Sequence, residues 1–301
     1  MRFLVFGAGA MGSLVGGLLS QQHETVLVGR EAHVEAIRKR GLRITGKTRL
    51  TARPAAVEGI PPDADPDVVI VAVKAYDTED AARTLGPLTG NALFLSLQNG
   101  LGNEETLAAA GARVLGGITN QGITWVGPGE VHHAGEGDTY IGPFEGTGPK
   151  AADDVVAAFN ESGLPSHRVD DIRSELWLKA IVNACINPLT ALLRVPNGYV
   201  LQTEATELVV RNVIQEGVEV AARYDMDLSA DAVYERVVAV VQGTAANRSS
   251  MLQDLERGRR TEIDAINGAI ARLGREAGTP APRNELLAQL VRAAEATPAT
   301  G

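Results

Sequence analysis

Residues 1–20 read MRFLVFGAGAMGSLVGGLLS. The apolar run from Arg2 to Phe6 predicts a buried strand, and Ser13 to Ser20 predicts a helix. Between them, Gly7-Ala8-Gly9-Ala10-Met11-Gly12 fits G-x-G-x-x-G. In such a turn the first glycine permits the reversal. The second lets backbone approach a pyrophosphate, and the third lets helix and strand pack closely. Amides left open at the helix start suit phosphate charge. Strand, glycine turn and helix in this order point to dinucleotide binding, against the plainer alternative of a glycine turn with no ligand.

The same alternation continues outward. Thr25 to Val28, Asp67 to Val73 and Ala92 to Leu97 read as strands, and Glu31 to Arg40, Thr78 to Leu85 and Glu104 to Ala110 as helices. This predicts an α/β fold with a mainly parallel, doubly wound Rossmann-type sheet. Leu42 to Thr45 and Arg49 to Ala52 suggest a small hairpin. Strand-like pieces lie among glycines from Val114 to Pro143, and Ala151 to Ser162 and Ser166 to Val169 add a helix and a strand. After Asp170 the pattern is helical: Ile172 to Leu193, Glu204 to Tyr224 and Ala230 to Gln242. Pro188 is expected to kink or end the first of these. Two domains follow, residues 1–169 and an all-α 170–301, with a frayed tail from Thr297.

A net charge of -9 excludes a general polyanion binder, so no nucleic-acid partner is expected. An anionic ligand would need a few local cations. Arginine outnumbers lysine 23 to 5, which singles out each lysine. Cys185, the one cysteine, forms no intrachain disulfide and suits a reducing cytoplasm. It reads as a core residue. No apolar run is expected to reach the roughly 18 residues of a membrane span. No His, Cys or acid spacing suggests a metal. His132 and His133, adjacent in a strand, should face opposite ways.

Cofactor choice turns on the end of the second strand. NAD-binding folds usually place an acid there for the ribose hydroxyls. Val28-Gly29-Arg30 stands there instead, and a guanidinium suits a 2′-phosphate, although Glu31 is adjacent. NADPH is therefore expected over NADH. Lys74 and Asn99 each follow a parallel strand, where ligands bind, though a surface ion pair and an Asn-Gly turn would also account for them. Lys179, Asn183 and Asn187 recur every fourth residue on one otherwise apolar helix face, which suggests a cleft. Ser249 to Gln253 fits a capping box, and Thr261 to Asp264 a second helix start, so Ser250 and Glu262 also have structural explanations.

The blocks GAGAMG, VKAYDT around Lys74, LQNGLGNEE around Asn99, LWLKAIVNACINPLTAL, PNG at Asn197 and NRSSMLQDLERGRRTEIDAINGAI carry a further message. With them the chain resembles the ketopantoate reductase (2-dehydropantoate 2-reductase) family over nearly its whole length. That resemblance implies that Gly7, Ala8, Gly9, Ala10, Met11 and Gly12 hold a pyrophosphate, Arg30 a 2′-phosphate, and Lys74 and Asn99 the cofactor. It implies Lys179 as proton donor. Asn99, Asn183, Asn187, Asn197, Asn247 and Ser250 become substrate ligands, and Glu262 the acid completing the site, in a cleft between the domains. The implied reaction is NADPH-dependent reduction of 2-dehydropantoate to (R)-pantoate, toward pantothenate and coenzyme A, by a cytoplasmic homodimer without membrane partners. Such chemistry needs a hydride and a proton, and lysine can give a proton where arginine effectively cannot. Two alternatives stand beside it: the same scaffold reducing another 2-oxo acid, and a non-catalytic NADP-binding sensor.

Overall fold

A computed structural model describes Met1 to Thr297; the rest of the frayed-tail expectation lies outside the described residues. The chain forms two compact units. One comprises Met1–Gln98 and Asn103–Ile172, and the other Asn99–Gly102 with the chain from Arg173 onward.

The first unit begins β1 (Arg2–Phe6), α1 (Ala10–Leu19), β2 (Glu24–Val28), α2 (Glu31–Arg40), β3 (Leu42–Gly46), β4 (Leu50–Ala52), β5 (Ala55–Val57) and β6 (Val68–Val71). It continues with α3 (Thr78–Leu85), β7 (Leu93–Ser96), α4 (Asn103–Ala109), β8 (Arg113–Thr119), β9 (Gly122–Gly127) and β10 (Glu130–Gly135). It ends with β11 (Thr139–Glu145), α5 (Pro149–Glu161) and β12 (Ser166–Arg168). The main sheet runs β12-β11-β8-β7-β6-β1-β2-β5. Every pair in it is parallel except β8 with β11. This is the doubly wound α/β arrangement expected from the strand–helix alternation.

Burial on both faces explains the unbroken apolar strands. Phe3, Val5, Val68, Ile70, Leu93 and Leu95 enter one core with α1 and α5. Their neighbours Leu4, Val69, Val71 and Phe94 enter the opposite core with α3 and α4. This is the two-residue period of a strand sorted between two layers.

The glycine-rich segment forms strands of the first unit, as expected, and divides them between two sheets. β9 and β10 do not extend the main sheet; with β3 and β4 they form a separate four-stranded sheet ordered β4-β3-β10-β9. The predicted hairpin is its β3–β4 pair. His132 is exposed and His133 buried, as the strand period requires.

The second unit contains α6 (Ile172–Leu193), α7 (Glu204–Ala222), α8 (Ala230–Gly243), α9 (Ser250–Glu256), α10 (Asn267–Glu276) and α11 (Pro282–Ala296). Side chains of Thr203, Ser229 and Ser249 accept amide hydrogen bonds from Thr206, Ala232 and Leu252, fixing the starts of α7, α8 and α9. Three sequence expectations are corrected here. Of the two outcomes expected at Pro188, an end is not found, since helix α6 continues through it. It is also long and apolar enough to cross a membrane, although 72% of its most apolar window is buried within the protein. Its apolarity thus serves a core, where Ile181, Ala184 and Cys185 are fully covered. Burial pushes the Cys185 thiol far above its ordinary pKa, as for an inert core cysteine. Finally, no helix starts at Thr261. Residues 263–266 are turns and α10 begins at Asn267, while the Thr261 hydroxyl accepts a local bond from the Ile263 amide.

Candidate active site

In the first unit the glycine turn is built by close backbone approach. Gly7 has φ +104°, and a Cβ there would lie 2.7 Å from Val73 Cγ1 and from the Val73 amide nitrogen. A Cβ on Gly12 would lie 2.2 Å from the Gly7 carbonyl oxygen. A Cβ on Gly9 would meet nothing within 4 Å. The turn is therefore closed against protein at its ends and open at its middle. No side chain caps α1, so its first amides are available to an anion. Amides of Gly7 and Ala8 donate to the Val28 carbonyl at 3.1 and 2.9 Å, which draws the end of β2 against the turn. Arg30, two residues on, is exposed at the start of α2, and Glu31 is exposed beside it. Val73, packed against Gly7, leads directly to Lys74, which is half-buried at the start of a short 3-10 turn, Ala75–Asp77. One turn, two strand ends and two cations are thus gathered in one region. A cradle that a Cβ would fill, open amides and adjacent cations fit a phosphate-bearing dinucleotide.

Two features behind this region escaped the sequence reading. Gln98, buried after β7, donates from Nε2 to the Val73 carbonyl at 3.1 Å and the Thr78 hydroxyl at 2.7 Å, bracketing Lys74. The other is His33, whose Nδ1 accepts from the Gly129 amide at 2.8 Å. That fixes the proton on Nε2, which donates to the Ser13 hydroxyl at 3.0 Å. Ser13 in turn donates to the Ala8 carbonyl of the glycine turn at 3.3 Å. Burial lowers the His33 pKa to about 4, so the neutral tautomer persists. His33 lies in no motif, and Gln98 lies in the LQNGLGNEE block without a role assigned to it.

The second unit holds the remaining candidates. Lys179 and Asn183 are half-buried and Asn187 buried, along one face of α6. Beyond them the Thr190 hydroxyl bonds both the Asn187 carbonyl, at 3.0 Å, and the Ser249 hydroxyl, at 2.8 Å. Ser249 is the cap of α9, not Ser250, so Ser250 stands exposed at the first helical position without that duty. Asn197 donates its amide to the Asn247 carbonyl at 2.9 Å, and its side chain donates to the Thr244 hydroxyl at 3.0 Å. Its Oδ1 is buried without a hydrogen-bond donor, an unmet acceptor beside exposed Asn247.

Asn99 belongs by contact to this unit. Its Nδ2 donates to Oε2 of Glu262 at 3.3 Å, and the Leu101 amide donates to the Ala265 carbonyl at 2.8 Å. Glu262 is 6% exposed. The pairs Asn99–Glu262 and Asn197–Asn247 are brought together, as is the Lys179 stripe. Among the described residues, no three His, Cys, Asp or Glu side chains gather as a metal site.

The sequence matches the model for ketopantoate reductase PanE/ApbA over residues 3–146. The C-terminal model of the same family matches residues 171–295. The chain belongs to the ketopantoate reductase family. This is a family of oxidoreductases, and membership makes the chain an enzyme by descent and fold. A 2-dehydropantoate 2-reductase from Archaeoglobus fulgidus is 43% identical, covering 98% of each chain. One from Pyrococcus horikoshii is 40% identical, with the same coverage. Among solved structures, a PanE/ApbA family ketopantoate reductase from Ralstonia eutropha superposes with TM-score 0.90 at 35% identity, covering 98% of each chain. D-mandelate dehydrogenase, in a ternary structure with NADH and anilino(oxo)acetate, gives TM-score 0.93 at 29% identity, again over 98% of each.

Proposed function

We propose that this protein reduces 2-dehydropantoate to (R)-pantoate with NADPH, as a step toward pantothenate and coenzyme A. The observation that carries the reading is the α6 face: one lysine and two asparagines at four-residue spacing on an apolar helix, in a chain of this family. The glycine turn would hold the pyrophosphate, and Arg30 and Lys74 the remaining anionic groups of the dinucleotide. When bound, the cofactor supplies the hydride. Lys179 donates the proton to the carbonyl oxygen, and before transfer its charge stabilises the developing alkoxide. Asn183, Asn187, Asn197, Asn247 and Ser250 hold carboxylate and hydroxyl groups without competing for that proton. Glu262 anchors Asn99, which orients substrate and cofactor. An exposed Arg30 in place of an acid supports NADPH. The single, buried Cys185 is compatible with a cytoplasmic enzyme. A homodimer belongs to the same proposal.

A second reading is favoured by the D-mandelate dehydrogenase likeness: the same machinery acting on a different 2-oxo acid. Cofactor oxidation measured against a panel of 2-oxo acids, with NADPH and then NADH, separates the two. Ketopantoate should give the highest kcat/KM. A bulkier or aromatic acid winning clearly would replace the substrate assignment, and NADH winning would replace the cofactor. No turnover of any acid would favour the non-catalytic sensor.

A further inference from the structure

Pro188 has no amide hydrogen, so within α6 it leaves the Ala184 carbonyl, four residues earlier, without its helical donor. Such a gap in a buried helix should weaken or bend it. Here it is filled from outside: Asn267 donates from Nδ2 to that carbonyl at 3.1 Å. Asn267 is fully buried, and its Nδ2 also donates to Oδ1 of Asn284 at 3.1 Å. Asn284 is equally buried, donates from its own side chain to Glu216 at 3.0 Å, and so ties the bond to α7 and α11. The acceptor at Ala184 and the acceptor at Asn284 fix which end of the Asn267 amide points where, leaving its Oδ1 the unmatched atom.

Position gives this bond its meaning. Ala184 adjoins Asn183 and lies between Lys179 and Asn187 along the helix. Asn267 opens α10 directly after the Glu262 turn, which closes through bonds from the Ala265 and Ile266 amides to the Glu262 carbonyl. We infer that Asn267 is a positioning residue, supplying to Ala184 the hydrogen bond that Pro188 withholds and thereby holding the Lys179–Asn183–Asn187 face in register with the Glu262 turn. The inference rests on the proposed roles of those side chains. It adds a residue that touches neither substrate nor cofactor, and a reason for a proline inside the helix. With a residue other than proline at 188, the helix would close its own bond and would need no tie to α10 at this point.

The test is a double-substitution cycle of Asn267→Ala and Pro188→Ala, read by unfolding midpoint and by steady-state kinetics in which the 2-oxo acid and NADPH are each varied with the other saturating. Asn267→Ala alone should lower the midpoint by several degrees and kcat/KM for the oxo acid by about tenfold or more, with KM for NADPH unchanged. Pro188→Ala restores the helical amide, so in that background Asn267→Ala should lose most of its effect on both readouts. Equal losses in the two backgrounds would overturn the inference. So would coupling in the midpoint with kcat/KM unmoved, which would leave a purely structural bond. If Asn267→Ala does not fold, Asn267→Ser takes its place in the same cycle. Absence of oxo-acid reduction by the unmodified protein is a separate outcome, and overturns the functional reading on which the kinetic half depends.

Discussion

Under the proposed function, the two units would meet their ligands by opposite means. The first would hold a pyrophosphate mainly by backbone, through a glycine turn, open amides and strand ends, with Arg30 and Lys74 as its side-chain cations. The second would bind through side chains projecting off a helix that is otherwise core. A backbone site is sensitive to added atoms and indifferent to most side-chain chemistry. A side-chain site is the reverse, since each group can be removed alone but only one chemistry serves at each place. Substitutions on either side should therefore fail in different ways.

The largest effect belongs to the side-chain site. Lys179→Ala should lower kcat by about 10²–10⁴-fold with the fold intact, and Lys179→Arg should not restore it, because a guanidinium does not release its proton. Intact turnover in either variant would remove the proton-donor role. Next comes the first unit's support. His33 is neutral when folded and titrates at about 4, against 6.5 when free. Above pH 6.5 both states are neutral and nothing is lost. As pH falls from 6.5 toward 4 the unfolded chain takes the proton first, and stability drops by a total of about 3 kcal/mol. Denaturant titrations across that range should show the drop in the parent and a flatter profile in His33→Gln.

Smaller again, Arg30→Ala should raise KM for NADPH by roughly ten- to a hundredfold, the loss of one charge-assisted contact, and leave KM for NADH nearly unchanged. Equal effects on the two would show that Arg30 reads no 2′-phosphate. The subtlest contrast lies within the glycine turn. Gly12→Ala forces a Cβ onto the Gly7 carbonyl and should destabilise the fold, whereas Gly9→Ala meets only open space. Gly9→Ala should keep the parental unfolding midpoint and weaken cofactor affinity by about tenfold, measured by fluorescence titration. A lower midpoint for Gly9→Ala would mean that the turn's middle is not open.

Legibility in the sequence followed the same division. The glycine turn, the parallel strands and the four-residue stripe on α6 were readable because each is local and periodic. The fate of residues 122–135 was not, since a separate sheet depends on β10 pairing with β3, some 85 residues earlier. Capping by Ser249 in place of Ser250 is a one-residue matter, decided by the Thr190 hydroxyl waiting at 2.8 Å. Continuation of α6 past Pro188 is not legible within its own helix, because the donor that serves Ala184 comes from Asn267, far along the chain. Lys179, Asn183 and Asn187 could be seen, whereas Gln98, His33 and Asn267 act through other residues and leave no spacing to find.

The four residues Asn99 to Gly102 leave the sheet-bearing unit and pack with the helical one before the chain returns to form α4. The boundary between the units is thus crossed three times along the polypeptide, so no single cut frees either half whole. A piece starting at Arg173 would carry Lys179 and Glu262 yet lack the loop whose Leu101 amide meets the Ala265 carbonyl. Evolutionary exchange of either half for a foreign one would have to preserve that borrowed loop as well.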